Sequence, residues 1–475
     1  LKALLPRYEG RVKCIYIDPP YNTGNEGWVY NDNVNDPKIK KWLGEVVGKE
    51  GEDLSRHDKW LCMMYPRLKL LQRLLHPTDG SIFISIDENE MANLKLVCNE
   101  IFGSNRHVAT ITWQKRYSRE NRGAIGDAHE YILVYASDVE NFKAIRHRVE
   151  FDEKSAKIYK NPNNDPKGRW RAVPMTAQGY RPNQMYPITT PSGKICYPPQ
   201  GRCWSTVESE YKKLLATGRI YFGKNGDSQP SIIRYLSEVE GMVPWTWWPH
   251  EEVGHTDEAK KQIISILGDA DSFDTPKPTR LLERIFQIAS DPDSIILDSF
   301  AGSGTTAHAV LNMNKADGGN RKFILVEMMD YADSITAERV KRVIQGYGEG
   351  KNAVEGTGGS FSFYDLGQPL LIGENLNEEV APEKIREYIW FMETKAPYAP
   401  PAGENAYYLG SHNHTAYYFY YEPQRITVLD YAFLATLTQK GECTVIYADR
   451  CAIGEEKLAQ MGIVFKKIPR DITRL

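Results

Sequence analysis

The sequence predicts an α/β protein whose sheet is written in two runs, with a basic, Pro/Gly-rich stretch between them. Two observations carry this reading: strand and helix signals alternate from about residue 12 to 113 and again from about 279 to 344, and the pattern dissolves from about 155 to 275. Leu1 to Leu5 reads as part of a helix entered midway, so residues upstream are expected to be missing. Residues 12–18 (VKCIYID) form an apolar, β-branched run, a buried strand that ends at two prolines. From Asp58 to His76, Leu61, Met64, Leu68, Leu71 and Leu75 recur at helical spacing, and Pro77 stops the helix. Ser81 to Ile86 reads as a strand, Glu90 to Ile101 as a helix and His107 to Trp113 as a strand, the signature of a parallel sheet.

The second run gives a helix at Thr279 to Ala289, a strand at Ser294 to Leu297 and a helix at Thr305 to Met313. A strand follows at Lys322 to Glu327, then a helix at Asp333 to Ile344. A Gly-rich linker, Gly346 to Gly359, leads to a last region whose end, Cys443 to Pro469, reads strand, helix, strand. The expected boundaries are 1–150 and 276–345 for the two halves of one α/β domain, 151–275 for an insertion and 346–475 for an accessory domain.

Composition bounds the rest. With 475 residues, 41% hydrophobic and 25% charged, the chain can bury a large core and argues against wholesale disorder. No window approaches the roughly 20 apolar residues of a membrane span, and Leu1 onward lacks a charged segment followed by an apolar stretch and a cleavage site, so neither membrane insertion nor secretion is expected. Seven cysteines without a C-x-x-C pair suit a reducing cytoplasm and suggest neither a disulfide framework nor a metal site.

Charge is unevenly spread. Between Lys160 and Arg234 there are 12 Lys/Arg against four Asp/Glu, in a chain of net charge -3. Trp170, Tyr180, Tyr186, Tyr197, Trp204, Tyr211, Tyr221 and Phe222 are interleaved with them. Cations for phosphates and rings for bases make a nucleic-acid surface; a solvated basic face over a small β-rich core is the plainer alternative.

Two motifs carry chemistry. Asp18-Pro19-Pro20-Tyr21-Asn22 stands where a buried strand ends, and the prolines keep the backbone extended as it leaves the sheet. A carboxylate, carbonyls and an aromatic ring are thereby aimed at one point, a set that matches a planar base bearing an amino group. Asp298 to Ala307 (DSFAGSGTTA) also follows a strand and opens a helix. Its glycines admit a ligand close to the backbone, and the helix N-terminus favours an anion. About 25 residues on, Glu327 can accept both ribose hydroxyls of a nucleoside cofactor; taken alone, the motif fits a dinucleotide equally well. Gly218 to Lys224 has the spacing of a phosphate loop, but Asn225 stands where Ser or Thr is required, and His412 and His414 read as surface histidines.

Together the motifs resemble the β-class amino-methyltransferases of DNA, and more narrowly the modification (Mod) subunits of type III restriction-modification systems. Trp60 to Leu71, Asp79 to Asp87 and Thr275 to Ile285 add to the likeness, which covers residues 1 to about 345. The resemblance implies a Rossmann-like S-adenosylmethionine-dependent sheet with circularly permuted motifs, a target-recognition insertion and a C-terminal accessory domain. It implies that Asp18, Pro19, Pro20 and Tyr21 hold the target base. Asp298, Phe300, Gly302, Gly304, Thr305 and Glu327, with Lys277 from a helix-opening T-P-K-P, would hold S-adenosylmethionine. Arg169, Arg171, Arg202, Lys115 and Arg116 would contact double-stranded DNA. Relatives carry a Gly-Asp-Asn-like element before the first helix, which is expected to belong to the residues upstream of Leu1.

Adenine N6 is the expected target; a cytosine-N4 enzyme, a dehydrogenase and a non-catalytic DNA-binding subunit are the competing readings. The resemblance also implies a homodimer and a separate restriction subunit. Nine aromatic residues between Tyr407 and Phe433 are the expected contact surface from residue 360 onward, unless they alternate into the core of a small β domain.

Overall fold

The structure is a computed structural model that describes residues 1–23, 56–118, 124–149, 156–268, 273–401 and 405–470. Two compact units emerge, Leu1–Ile145 with Thr246–Leu475, and Arg146–Trp245.

The first unit is built on a seven-stranded sheet. Its strands are β1 (Cys14–Ile17), β2 (Ser81–Ile86), β3 (His107–Gln114), β4 (His129–Ala136), β5 (Trp247–Trp248), β6 (Ile295–Asp298) and β7 (Lys322–Leu325), in the order β5-β3-β4-β2-β1-β6-β7. The sheet is mixed rather than parallel, because β4 runs against both of its neighbours. Sequence reasoning passed over β4, whose run Tyr131–Ala136 is strand-length, apolar and buried apart from Tyr131. β1 and β2 are buried along their whole length, as strands covered on both faces must be.

Helix α1 (Arg56–Leu74) and helix α2 (Met91–Phe102) cover one face. Leu68, Leu71 and Leu74 from α1 and Leu94, Cys98 and Ile101 from α2 join Ile15, Ile17, Ile82 and Ile84 in the main core. Each large apolar side chain buried here contributes about 1.5–3 kcal/mol. Helix α3 (Thr256–Leu267) falls within the stretch where the sequence pattern dissolves, and helix α4 (Thr279–Ala289), helix α5 (Thr305–Asp317) and helix α6 (Glu338–Gln345) belong to the second run. A π-turn over Ala332–Ala337 replaces the expected start of α6, and the first residues form a 3-10 turn, Lys2–Leu4, before one α-turn, Leu5–Tyr8. Among the described residues no helix is long and apolar enough to cross a membrane.

The placement of β1 and β6 organises the function. From β1 the chain moves through α1 to β2 on one side, and from β6 through α5 to β7 on the other. β1 and β6 are parallel neighbours with Cys14 opposite Ile296 and Ile15 opposite Leu297. Strand order diverges at this pair, and crevices outside the carboxyl ends of such strands are where α/β sheets bind ligands.

After α7 (Pro382–Thr394), four strands, β8 (Tyr408–His412), β9 (Thr415–Phe419), β10 (Cys443–Ala448) and β11 (Ile463–Lys467), form a second sheet in sequence order, with α8 (Glu455–Gln460) before β11. Tyr418 packs into one core and Tyr417, Phe419 and Tyr421 into another. The tyrosine-rich run is therefore interior, and the expected interface there is corrected; only Tyr431 of these rings is well exposed. Period-two alternation sends adjacent rings to opposite faces, both of which are covered.

The second unit carries a three-stranded antiparallel sheet of Ile220–Tyr221, Ser231–Tyr235 and Trp170–Pro174. Ile220–Tyr221 being a strand disposes of a phosphate loop there. Tyr186, Trp204, Tyr211 and Phe222 pack with Met175 and Ile188 in its core, while Tyr180 and Tyr197 are exposed. The expected aromatic surface reduces to those two rings among the eight, with Tyr221 half-buried and Trp170 buried.

Candidate active site

Pro19 and Pro20 keep the chain extended beyond Ile17, so Asp18 emerges at the carboxyl end of β1. Two contacts fix the turn that follows. Trp60 Nε1 donates to the Pro20 carbonyl at 2.7 Å. Asn22 adopts a left-handed φ of 61°, which asparagine tolerates better than most residues, and its amide donates to the fully buried carboxylate of Glu90. Glu90 also meets His57 Nδ1 at 2.6 Å and accepts from Asn93 Nδ2 at 2.9 Å.

Asp18 lies in a cluster of charges. Its Oδ2 is 2.6 Å from Lys277 Nζ, and its Oδ1 is 2.8 Å from the Tyr21 hydroxyl. That hydroxyl is also 2.9 Å from Glu130 Oε2, so one proton serves two carboxylates. Lys277 Nζ lies 3.6 Å from Glu130 Oε2 and 5.1 Å from the centre of the Tyr21 ring. Lys115 Nζ reaches Asp127 at 2.8 Å and Glu130 Oε1 at 3.5 Å. Burial pushes Asp18 above its usual range despite Lys277 beside it. Burial also works against the Lys277 ammonium, but Asp18 and Glu130 outweigh it and raise its pKa. Burial, with both carboxylates near, keeps the Tyr21 phenol protonated. The site is rich in acceptors around a flat ring, which suits a planar donor carrying N–H groups.

Glu130 is the functional residue that sequence reasoning missed. It stands near the start of β4, and because β4 is antiparallel, that start meets the carboxyl end of β2, where Ile86 faces Tyr131. A charged residue entering a buried strand was the signal that could have found it.

The glycine loop follows β6. Asp298 Oδ1 accepts from the Phe300 amide at 3.0 Å and Oδ2 from Thr306 Oγ1 at 2.6 Å, and burial raises this carboxyl to about 7. Gly302 and Gly304 have φ of 51° and 78°; a Cβ would lie 3.2 Å from the Phe273 ring at the first and 3.1 Å from the Thr336 carbonyl at the second. Glu327 sits beyond the end of β7 rather than on it. Its Oε2 accepts from the Gly302 amide at 2.8 Å, and its Oε1 from Met328 and Met329. Lys277 spans both groups: Thr305 Oγ1 donates to its carbonyl at 3.2 Å while its ammonium sits on Asp18. The resemblance implied Lys277 beside the cofactor, and its carbonyl is the part that reaches the glycine loop.

Of the expected DNA contacts, Arg169 and Arg116 are exposed. Arg171 stacks 5.3 Å over Tyr159, and Arg202 Nε donates to Thr176 Oγ1 at 3.0 Å. Lys115 is corrected: it is turned inward onto Glu130 and Asp127. Among the described residues no group of three or more His, Cys, Asp or Glu could hold a metal ion.

A carboxylate and aromatic turn beside a glycine loop, on paired parallel strands, defines a class. Residues 12–338 match the DNA methylase family, and the chain belongs to it. Among its relatives is the Mod subunit of the type III restriction-modification enzyme StyLTI of Salmonella typhimurium, 39% identical over 378 residues, which are 72% of this chain and 55% of that one. The EcoPI Mod subunit of Escherichia phage P1 is 34% identical, covering 69% and 55%. The type II methyltransferase M.KpnI of Klebsiella pneumoniae is 32% identical, covering 66% and 74%. The chain spans about half the length of these two Mod subunits.

Proposed function

We propose that this chain transfers a methyl group from S-adenosylmethionine to N6 of adenine in double-stranded DNA, as the modification subunit of a restriction-modification system. The pairing of β1 with β6 supports this most, since its register brings Asp18 and the glycine loop out of the sheet side by side. The loop fits the cofactor: a side chain at Gly302 or Gly304 would fill the space against Phe273 or Thr336. Glu327 Oε2, which accepts only the Gly302 amide, keeps a second acceptor position for a ribose hydroxyl.

When bound, S-adenosylmethionine supplies an electrophilic methyl group. Asp18 and the Pro19 carbonyl would accept the two hydrogens of N6, which draws that nitrogen toward a tetrahedral shape and directs its lone pair. Tyr21 would stack on the base, and about 1–3 kcal/mol of stacking offsets part of the few kcal/mol needed to turn the base out of the duplex. Asp18 Oδ2 would be vacated by Lys277, for which Glu130 is the waiting carboxylate. Its raised pKa suits Asp18 to take the proton that N6 releases.

The test is incubation of the protein with duplex DNA and methyl-labelled S-adenosylmethionine, followed by nucleoside analysis. N6-methyldeoxyadenosine is expected; N4-methyldeoxycytidine would move the target to cytosine, and cofactor binding without methylated nucleosides would leave a recognition subunit. Glu327→Ala should weaken cofactor binding by about 1.5–3 kcal/mol, measured by calorimetry. Unchanged affinity would remove Glu327 from the cofactor site.

The central unit would read DNA, and its affinity should fall steeply with salt, by a log-log slope of about 0.9 per neutralised phosphate. Charge reversal at Arg169, Arg171 and Arg202 should flatten that slope more than reversal of exposed lysines after residue 345. Equal losses from both sets would make the basic stretch a solvated face. A homodimer acting in the prokaryotic cytoplasm beside a restriction subunit completes the proposal.

A further inference from the structure

Four loops of the second unit are tied into one continuous surface. Loop 179–184 meets loop 197–201 where the Gly179 amide donates to the Gly201 carbonyl at 3.1 Å. Gln229 Nε2, from loop 223–229, donates to the Tyr197 carbonyl at 3.2 Å, and the Ser192 amide in the hairpin tip 190–194 donates to the Gly226 carbonyl at 3.1 Å. The chain runs from the first two loops straight into the core at Tyr186 and Trp204, where Trp204 Nε1 donates to the Tyr186 carbonyl at 2.7 Å. A packed support under exposed loops is the usual build of a recognition surface.

The cations of the basic stretch divide into two sets. Several are engaged within the protein: Lys212 with Glu208 at 2.8 Å, Lys213 with Glu210 at 3.2 Å, Arg219 with Glu238, and Arg171 and Arg202 on Tyr159 and Thr176. Lys194 and Lys224 have no acidic partner among the described residues, and both stand in the loops. Arg181 is exposed beside them, with Nη1 donating to Gln184 Oε1 at 3.2 Å and the rest of its fork unbonded. Asp227 is the single acid in the four loops. Tyr180 and Tyr197 are 74% and 59% exposed, and Asn225 is exposed with its amide unbonded. At Gly179 and Gly201, with left-handed φ of 89° and 76°, an added Cβ would meet nothing within 4 Å, so the backbone there lies bare to an incoming surface.

Unpaired cations alone would fit phosphates, but a free guanidinium fork and a free side-chain amide also match the edges of bases. A fork donates to both acceptors of guanine in the major groove, and an amide donates to and accepts from adenine. We propose that this loop surface reads the base sequence of the DNA, with Arg181 taking a guanine and Asn225 an adenine. Lys194 and Lys224 then neutralise phosphates around them, contacts that position the duplex without reading it. The inference rests on the central unit being the DNA reader and deepens that reading by assigning specificity to two side chains.

The full chain and its variants are incubated with S-adenosylmethionine and genomic DNA free of methylated bases, and long-read sequencing then ranks every methylated site. Arg181→Ala should relax a guanine requirement at one position of the site by roughly 5- to 150-fold, and Asn225→Ala an adenine requirement at another, with the remaining positions kept. Variants that lower methylation at all sites alike and leave the site itself unchanged would overturn the proposal. Arg181→Gln guards against an alanine variant that does not fold. It should turn the preference at the same position from guanine towards adenine, and an unchanged guanine preference refutes the assignment. A wild type that methylates no site would overturn the transferase reading itself, an outcome distinct from a defined site that the loop variants fail to move.

Discussion

Asp18→Ala is expected to reduce methyl transfer by on the order of 10²–10³-fold or more, the scale of removing one preorganised polar group from a transition state. Affinity for S-adenosylmethionine should stay within a few-fold, because the Asp18 carboxylate is hydrogen-bonded to Tyr21 and Lys277. The variant should stay folded, since Lys277 retains Glu130 at 3.6 Å. In the wild type, the single-turnover rate should fall with acid through a pKa above the usual carboxylate range, because the deprotonated Asp18 is the working form and burial raises it. Near-normal turnover by Asp18→Ala would remove Asp18 from the chemistry.

Lys277→Met should be the more damaging change to stability. It leaves Asp18 and Glu130 about a shared tyrosine hydroxyl with no ammonium between them. Removing one partner from a buried ion pair typically destabilises by about 3–5 kcal/mol, because the remaining charge stays buried. Urea unfolding should show a loss near the lower end, since Asp18 keeps 23% of its side chain exposed. Adding Asp18→Asn to Lys277→Met should recover much of that loss, as coupled neighbours do not add. A single variant within about 0.5 kcal/mol of wild type, the usual range for uncoupled surface changes, would mean that the cluster is loosely held.

Much of this was legible in the sequence where the physics is local. The strand at Ser81–Ile86 and the helix at Thr279–Ala289 match residue for residue, because each is a strongly patterned run with clear stops. Both motifs sit where strand-ending prolines and glycines placed them. What was not legible depends on pairing across long separations. Glu130 meets Asp18 through the sheet, with β2 between their strands, and Lys277 reaches it from 259 residues away. The inward turn of Lys115 likewise depends on Asp127 and Glu130, which a list of cations cannot reveal. The rings at Tyr417 to Tyr421 show the reverse error: their density suggested a surface, and only a sheet covered on both faces explains them.

The pairing of Cys14 with Ile296 and of Ile15 with Leu297 acts as a ruler. Neighbouring strands stand about 4.8 Å apart, so the gap between the Asp18 turn and the glycine loop is set first by main-chain hydrogen bonds. The segment 146–245 enters the chain between β4 and β5, far in sequence from either rung of that ruler. Its length and composition can drift without changing the spacing at which chemistry takes place. On the proposed reading of this segment as the DNA reader, a lineage could exchange it wholesale and acquire a new target sequence in one step, with the spacing of Asp18 and the glycine loop inherited intact.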